Sequence, residues 1–173
     1  EVTPHHLLLT DESAKSYDPI YKVNPPLRSA ADVEALREGL ADGTIDIVAT
    51  DHAPHPAESK ECEWQYASFG MLGLETALPI VWQTMIETKL LNLSQLQQRM
   101  SIIPAQIGRY QMQGKGVIKG APANLTLFNP NVSWKVDRDL VASKSKNTPF
   151  HGMELSGSVH ATFFNGRLVW SRK

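Results

Sequence analysis

A carboxylate and two imidazoles follow a short apolar segment of this chain. The segment is TIDIVA, residues 44–49, and the polar cluster after it contains Asp51, His52 and His55. A carboxylate in this position can bind a divalent metal ion, act as a general base, or do both. The residue types alone leave two alternatives open: Asp51 caps a turn or helix, or the Asp–His cluster belongs to a solvated surface.

Two further places carry residues that could contact a ligand. Asn24 precedes two prolines that stiffen the backbone, so its amide could be aimed at a bound molecule or could belong to an ordinary turn. The segment SFGMLG, residues 68–73, has two glycines that allow close approach to a ligand or to a neighbouring helix. His5 and His6 would point to opposite faces of a strand, which favours packed or hydrogen-bonded rings over shared chelation of one metal.

Alternating strand and helix patterns surround these residues. We predict strands at residues 2–9 and 44–49, separated by a proline-rich loop and a helix with Ser29 as N-cap and Gly43 at its end. A long polar loop follows over residues 51–73, and a loop of that length usually has a function in a compact domain. Three more helices are predicted at residues 74–89, 92–101 and 103–111.

The hydrophobic pattern changes to a period of two beyond Gly114. Strands are predicted at residues 116–120, 123–130, 132–137 and 157–170, the last one folded into a hairpin at Asn165–Gly166. We therefore divide the chain into an α/β part, residues 1–114, and an all-β part, residues 115–173. In parallel α/β architectures the active site lies at the carboxyl ends of the strands, so the strand at 44–49 would deliver Asp51 to it.

Composition limits the class of protein. The formal net charge of -1 and the hydrophobic fraction of 42% are those of a soluble globular chain with no basic stripe for nucleic acid. No apolar run reaches membrane-spanning length, and no signal peptide is recognisable. The single cysteine, Cys62, excludes a disulfide framework within the chain and favours a reducing compartment, the cytoplasm.

Five segments together resemble those of bacterial class I dihydroorotases of the amidohydrolase superfamily, in the same order along the chain. They are EVTPHHLLLTDE, YKVNPPLR, DGTIDIVATDHAPH, FGMLGLETALP and SKNTPFHGMELSGSV. The resemblance implies the C-terminal part of a (β/α)8 TIM-type barrel followed by part of a small β-sandwich. It also implies the zinc-dependent interconversion of N-carbamoyl-L-aspartate and L-dihydroorotate in pyrimidine (UMP) biosynthesis, with one or two Zn²⁺ ions per complete site.

The resemblance also assigns roles to individual residues. Asp51 matches the residue that contacts the more buried metal and shuttles the proton, so it is expected to be both catalytic and a metal ligand. Asn24, His55, Phe69 and Gly70 match substrate-binding positions. The other metal ligands of the family, including its His-x-His pair, belong to segments that precede EVTPHH, so this chain is expected to act with a missing N-terminal half of the barrel.

Two alternatives to a dihydroorotase enzyme remain open from the sequence, and so does the oligomeric state. The chain could belong to a related cyclic amidohydrolase, an allantoinase or a hydantoinase. It could instead belong to a non-catalytic dihydroorotase-like partner of aspartate carbamoyltransferase, and a homodimer is also possible. A His-x-His block encoded upstream of Glu1 would favour the enzyme over the assembly partner.

Overall fold

The computed structural model describes residues 1–172, and parallel pairing in it is confined to two short contacts. Val2 pairs with Val48, with the Val2 amide donating to Ile47 O at 3.0 Å and the Ala49 amide donating to Val2 O at 3.0 Å. His52 pairs in the same parallel sense with Met71. The strand predicted at 44–49 is therefore a single bridge at Val48, preceded by a bend at Thr44 and Ile45.

The predicted strand at residues 2–9 is wrong beyond Val2. His5–Leu7 is a 3-10 helix that begins after Pro4, whose φ of -56° and ψ of -39° are helical. The Thr3 hydroxyl accepts a hydrogen bond from the His6 amide at 3.2 Å, which closes a turn that competes with an extended backbone. The apolar run continues into this helix and buries Leu7 completely.

Helix α1, Ala30–Asp42, has the ends that its sequence predicts. The Ser29 hydroxyl accepts from the Asp32 amide while the Asp32 carboxylate accepts from the Ser29 amide, which is a capping box. Gly43 ends the helix with a φ of 96°, in the left-handed region that glycine adopts readily. The helix turns Val33 and Leu40 inward, where they are buried.

The later helices form two runs. Helix α2, Ala77–Val81, continues as a π-helical turn over Trp82–Ile86, and α3, Leu93–Gln97, continues through a π-helical turn, Gln98–Ile102, into α4, Ile103–Ile107. Pro79 lies in the first turn of α2, where the absence of its N–H costs no helical hydrogen bond. No helix within residues 1–172 is long and apolar enough to cross a membrane.

The second part of the chain contains one antiparallel sheet in the order β1–β2–β3. Its strands are β1, Leu125–Lys135, β2, Glu154–Phe164, and β3, Arg167–Ser171. The hairpin at Asn165–Gly166 is confirmed, with φ values of 48° and 78° at the turn. The two strands predicted at 123–130 and 132–137 are one strand with a register shift between Asn129 and Ser133, where Pro130 cannot donate to a ladder. The strand predicted at 116–120 does not form.

Two hydrophobic clusters hold these elements together. One lies among the helices and includes Val48, packed against Leu40 and Met85. The other joins both parts of the chain, because Met71 and Ile80 pack with the buried side chains of the all-β part. Those side chains are Val136, Phe150 and Leu155. The loop that ends at Met71 is therefore fixed against the sheet segment as well as against the helices.

His5 is buried, with 1% of its surface exposed, and its Nε2 atom has no hydrogen-bond partner within residues 1–172. Its ring centroid lies 4.5 Å from that of His6. Burial, with a smaller contribution from the charge of His6, lowers the pKa of His5 from 6.5 to about 3. The folded state therefore holds this ring neutral, whereas the unfolded chain protonates it below about pH 6.5.

We expect His5→Phe to reduce the acid sensitivity of the complete protein. Wild-type stability from this residue is fully present above about pH 6.5 and falls progressively as the pH drops toward 3, by about 2 kcal/mol at pH 5. Phenylalanine keeps a ring and does not titrate. Urea unfolding at pH 7.5 and pH 5 measures the difference, with exposed His160→Gln as the control. An equal pH effect in wild type and His5→Phe would contradict the assignment.

Candidate active site

Asp51 follows the segment that pairs with Val2 and presents an exposed carboxylate. Its φ of 46° places a non-glycine residue in the left-handed region, which Asp tolerates better than most residues. The carboxylate makes no hydrogen bond and no ion pair within residues 1–172. A capping Asp would accept a main-chain N–H, so the geometry argues against the capping role and leaves this carboxylate exposed and unpaired.

His52 has a structural hydrogen-bonding role. Its Nδ1 atom accepts from the Gly73 amide at 3.1 Å and from the Leu74 amide at 3.4 Å. Because Nδ1 is an acceptor, the ring proton lies on Nε2 in the neutral form. His52 thereby joins the segment after Asp51 to the turn that leads into helix α2.

His55 is held at two points. Its amide donates to Asn147 Oδ1 at 3.1 Å, and its ring Nε2 donates to the Phe69 carbonyl at 2.8 Å. Nε2 therefore carries the proton, and Nδ1 is the ring atom left for another partner. The half-buried ring lies directly against the segment that contains Phe69 and Gly70.

The two glycines of SFGMLG allow this close contact. Gly70 has a φ of 123°, and a Cβ atom there would lie 2.5 Å from the Cβ of Ala53 and 3.2 Å from His55 Nε2. A Cβ at Gly73 would lie 2.6 Å from the Thr50 carbonyl oxygen. The glycines therefore bring residues 70–73 against residues 50–55, and the helix contact considered from the sequence is a loop contact instead.

Asn24 is exposed, and its side chain forms no hydrogen bond within residues 1–172. Two residues earlier, the Lys22 carbonyl accepts the Gly70 amide at 2.9 Å, which brings the Asn24 segment to the same place. The His6 ring supports this loop, because its Nε2 donates to Pro25 O at 3.0 Å. His6 is thus the hydrogen-bonded structural ring predicted as one alternative for the histidine pair.

Hydrogen bonds directly join the segments that carry the five residues assigned to the site by the resemblance. These residues are Asn24, Asp51, His55, Phe69 and Gly70. Asp51 is linked through the Ala53 amide, which donates to Met71 O at 3.0 Å, and His55 is linked through the Phe69 carbonyl. A cleft of about 830 Å³ also lies beside His55. Of the five residues, His55 alone lines this cleft. The exposed carboxylate of Asp51 therefore lies outside it.

Asn147 is a buried centre of this network that the sequence analysis did not identify. Its side-chain NH₂ donates to the Ala53 carbonyl at 2.8 Å, its Oδ1 accepts from His55, and its main-chain oxygen accepts from Leu72 at 3.0 Å. It lies in SKNTPF, one of the five segments that carry the resemblance. Its sequence neighbours give no indication of these contacts, because every partner is at least 75 residues away.

The donor set for a metal ion is incomplete among the described residues. No group of three or more His, Cys, Asp or Glu side chains within residues 1–172 is arranged to hold one. Catalytic zinc sites normally use three protein ligands. The unpaired carboxylate of Asp51 fits the role of one such ligand, and the remaining ligands would have to come from outside the described residues.

Comparison with known proteins decides the family. The family model described as "Amidohydrolase family" matches residues 6–169. The chain belongs to the amidohydrolase family. This places its helices, its parallel contacts and its antiparallel sheet in an α/β amidohydrolase fold, as the sequence analysis predicted.

Several curated relatives that are similar to this chain are named dihydroorotase. The protein from Streptomyces coelicolor is 58% identical over 96% of this chain and 39% of its own length, and that from Mycobacterium tuberculosis is 51% identical over 98% and 39%. The chain therefore spans about two fifths of the length of the relatives that it matches. The predicted resemblance to dihydroorotases is confirmed at this level of similarity.

Solved amidohydrolase structures agree with the fold. The L-hydantoinase (dihydropyrimidinase) from Arthrobacter aurescens matches 98% of this chain and 38% of its own, with a TM-score of 0.89 and 35% identity. The dihydropyrimidinase from Brevibacillus agri matches with a TM-score of 0.88 at 22% identity, a likeness of fold alone.

Proposed function

We propose that the complete protein containing this chain is a dihydroorotase. It would interconvert L-dihydroorotate and N-carbamoyl-L-aspartate in pyrimidine (UMP) biosynthesis. The observation that carries the proposal is the 58% identity, over 96% of the chain, to a protein named dihydroorotase. The solved hydantoinase is 35% identical over a similar span, which favours a dihydroorotase over the hydantoinase alternative.

We further propose that residues 1–114 supply the C-terminal strands and helices of a (β/α)8 barrel and that residues 115–173 supply part of a β-sandwich. Two observations support this arrangement. The parallel contacts at Val48 and His52 flank the free carboxylate, and the later part of the chain forms an antiparallel sheet. An intact barrel needs about 200 residues or more, which agrees with relatives that extend well beyond the matched region.

The proposed cofactor is Zn²⁺, with Asp51 as one of its ligands. Zinc, when bound, would supply Lewis acidity and make a water acidic enough to react near neutral pH. Asp51 would accept a proton from the attacking water and return it to the leaving amide nitrogen, acting first as base and then as acid. The absence of hydrogen bonds to this carboxylate within residues 1–172 leaves both of its oxygens available for these tasks.

The substrate contacts follow from the groups that remain free. We assign Asn24 through its exposed amide and Phe69 through its main-chain N–H, which has no partner within residues 1–172. Gly70 shapes the contact, because its N–H and its carbonyl are already engaged with Lys22, Lys60 and Asn147. His55 would contact the substrate through Nδ1, because its Nε2 is bonded to the Phe69 carbonyl.

We expect Asn24→Ala and His55→Ala in the complete protein to raise KM for L-dihydroorotate by about 10-fold or more, the cost of unpaired polar groups in the site. Zinc content should not change, because neither residue is assigned as a ligand. Steady-state kinetics and elemental analysis measure the two effects, with the exposed Asn131→Ala as control. A His55→Ala protein that loses its zinc would make His55 a metal ligand instead.

The function itself is tested with a panel of cyclic amides. The complete protein is assayed with L-dihydroorotate, hydantoin and allantoin, and we expect kcat/KM to be highest for L-dihydroorotate by at least about 100-fold. Faster turnover of hydantoin or allantoin would reassign the protein to the related cyclic amidohydrolases.

A homodimer and an association with aspartate carbamoyltransferase are separate proposals, which size-exclusion chromatography with and without that enzyme would test.

A further inference from the structure

Two lysines beside the proposed substrate contact are buried without an acidic partner. Lys22 is 7% exposed and Lys60 is 5% exposed. Neither ammonium has a carboxylate within 4.0 Å among residues 1–172. Buried charges are costly unless hydrogen bonds satisfy them, so these two groups need a structural explanation.

Main-chain carbonyls of the loop over residues 60–70 accept hydrogen bonds from both ammonium groups. Each ammonium has three N–H donors, and each of the two donates to three main-chain carbonyl oxygens. The six acceptors are Trp64 (2.7 Å), Gln65 (3.2 Å) and Ala67 (2.7 Å) for Lys22, and Lys22 (3.3 Å), Ser68 (3.0 Å) and Gly70 (3.0 Å) for Lys60. Five of these six carbonyls belong to one loop that has no long helix or strand to satisfy them.

The two ammonium groups therefore satisfy the main-chain carbonyls of this loop, as hydrogen bonds between strands satisfy the carbonyls of a sheet. An apolar side chain in place of Lys22 would leave three carbonyls without a donor. An apolar side chain in place of Lys60 would leave the Ser68 carbonyl without a donor and remove one of the two donors of the Lys22 and Gly70 carbonyls. The loop would recover those hydrogen bonds by opening to water.

The same two residues touch the proposed substrate contact directly. The Lys60 ammonium holds the Gly70 carbonyl, and the Lys22 carbonyl holds the Gly70 amide. The Lys22 Nζ atom also lies 4.5 Å from the centroid of the Phe69 ring, a cation–π distance. Both sides of the Phe69–Gly70 pair are thus fixed by this pair of lysines.

We propose that Lys22 and Lys60 are positioning residues, which fold residues 64–70 around two buried ammonium groups and so place the Phe69 N–H for the substrate. This inference rests on the proposed dihydroorotase function for its substrate. It concerns two lysines that lie far apart in the sequence and that no motif connects. Neither lysine touches the substrate, so their effect is on KM more than on the chemical step.

The protonation state of Lys60 gives the proposal a pH signature. Burial, and then the charge of Lys22, lower the pKa of Lys60 to about 8, while Asp18 and Cys62 act in the opposite direction. Above that pH the neutral amine has two donors for three carbonyls, so the loop loosens and KM rises. Global stability changes in the opposite sense, because the unfolded chain binds the extra proton between about pH 8 and 10.5.

The test compares wild type, Lys60→Met and Lys60→Gln in the complete zinc-loaded protein with L-dihydroorotate. Lys60→Met should raise KM by about 10-fold or more at pH 7 with kcat within about 3-fold of wild type, and Lys60→Gln should be intermediate because its amide keeps two donors. The exposed Lys119→Met serves as the matched control. Hydrogen exchange of residues 64–70 should be faster in Lys60→Met than in the control.

The pH profile separates positioning from general stability. From pH 7 to pH 9.5 the wild-type KM should rise relative to that of Lys60→Met, while the urea midpoint of wild type rises relative to the same variant. If Lys60→Met is destabilised, Lys60→Gln, which keeps two donors and does not titrate, serves as the reference instead. An unchanged KM in Lys60→Met and Lys60→Gln overturns it, as does a wild-type KM that does not rise across pH 8. Absence of L-dihydroorotate turnover in wild type would instead overturn the proposed function.

Discussion

Asp51→Asn in the complete protein is expected to lower kcat for L-dihydroorotate by about 1,000-fold or more. The amide can neither accept a proton from the attacking water nor return one to the leaving nitrogen, and it is a weaker metal ligand than a carboxylate. The fold should survive, because asparagine tolerates the φ of 46° about as well as aspartate and the wild-type carboxylate supports no neighbour within residues 1–172.

The matched control is Asp46→Asn in the same extended segment. Asp46 is also exposed, and its side chain makes no hydrogen bond within residues 1–172, so its substitution changes the net charge by the same amount. Thermal unfolding of both variants should lie close to wild type. Turnover by Asp51→Asn within 10-fold of the control would remove Asp51 from the proton-transfer role.

Residues 1–173 expressed alone are expected to show no detectable dihydroorotase activity and only weak zinc binding. One carboxylate cannot hold a catalytic zinc that needs three protein ligands, and no cluster of three donors occurs within residues 1–172. The chain also matches only 39% of the Streptomyces coelicolor dihydroorotase, so most of that enzyme has no counterpart in it. Poor solubility is expected as well, since large apolar side chains such as Val117 and Ile118 are exposed.

Complementation makes this prediction specific. Refolding the chain together with the part of the Streptomyces coelicolor protein that it does not match should restore zinc binding and turnover. The same mixture with the Asp51→Asn chain should bind its partner segment but remain inactive. Turnover by purified residues 1–173 with added zinc and no partner segment would show that the site has been assigned to the wrong residues.

The extended segment around Val48 does not present an exposed strand edge. The Val48 amide donates to Arg99 O at 3.1 Å, and Val48 is 8% exposed. The helical run that ends in α4 therefore covers this segment on the side away from Val2. Aggregation of the isolated chain is better explained by its exposed apolar side chains than by this edge.

Local interactions explain what the sequence by itself determined. The capping box at Ser29, the stop at Gly43 and the hairpin at Asn165–Gly166 each depend on residues fewer than five positions apart. Such hydrogen bonds and backbone preferences are encoded in the immediate neighbours and form wherever the segment is placed. The position of Asp51 after an extended segment was predictable for the same reason.

Long-range contacts decided the rest. Within the run at 2–9, His5–Leu7 forms a 3-10 helix and Leu7 packs into the cluster among the helices, although the apolar pattern favoured a strand. Asn147 and the two buried lysines could not be identified as supports of the site, because their partners are carbonyl and amide groups of the main chain, which every residue carries. A sequence specifies which side chains are available, whereas the tertiary structure decides which main-chain groups those side chains must satisfy.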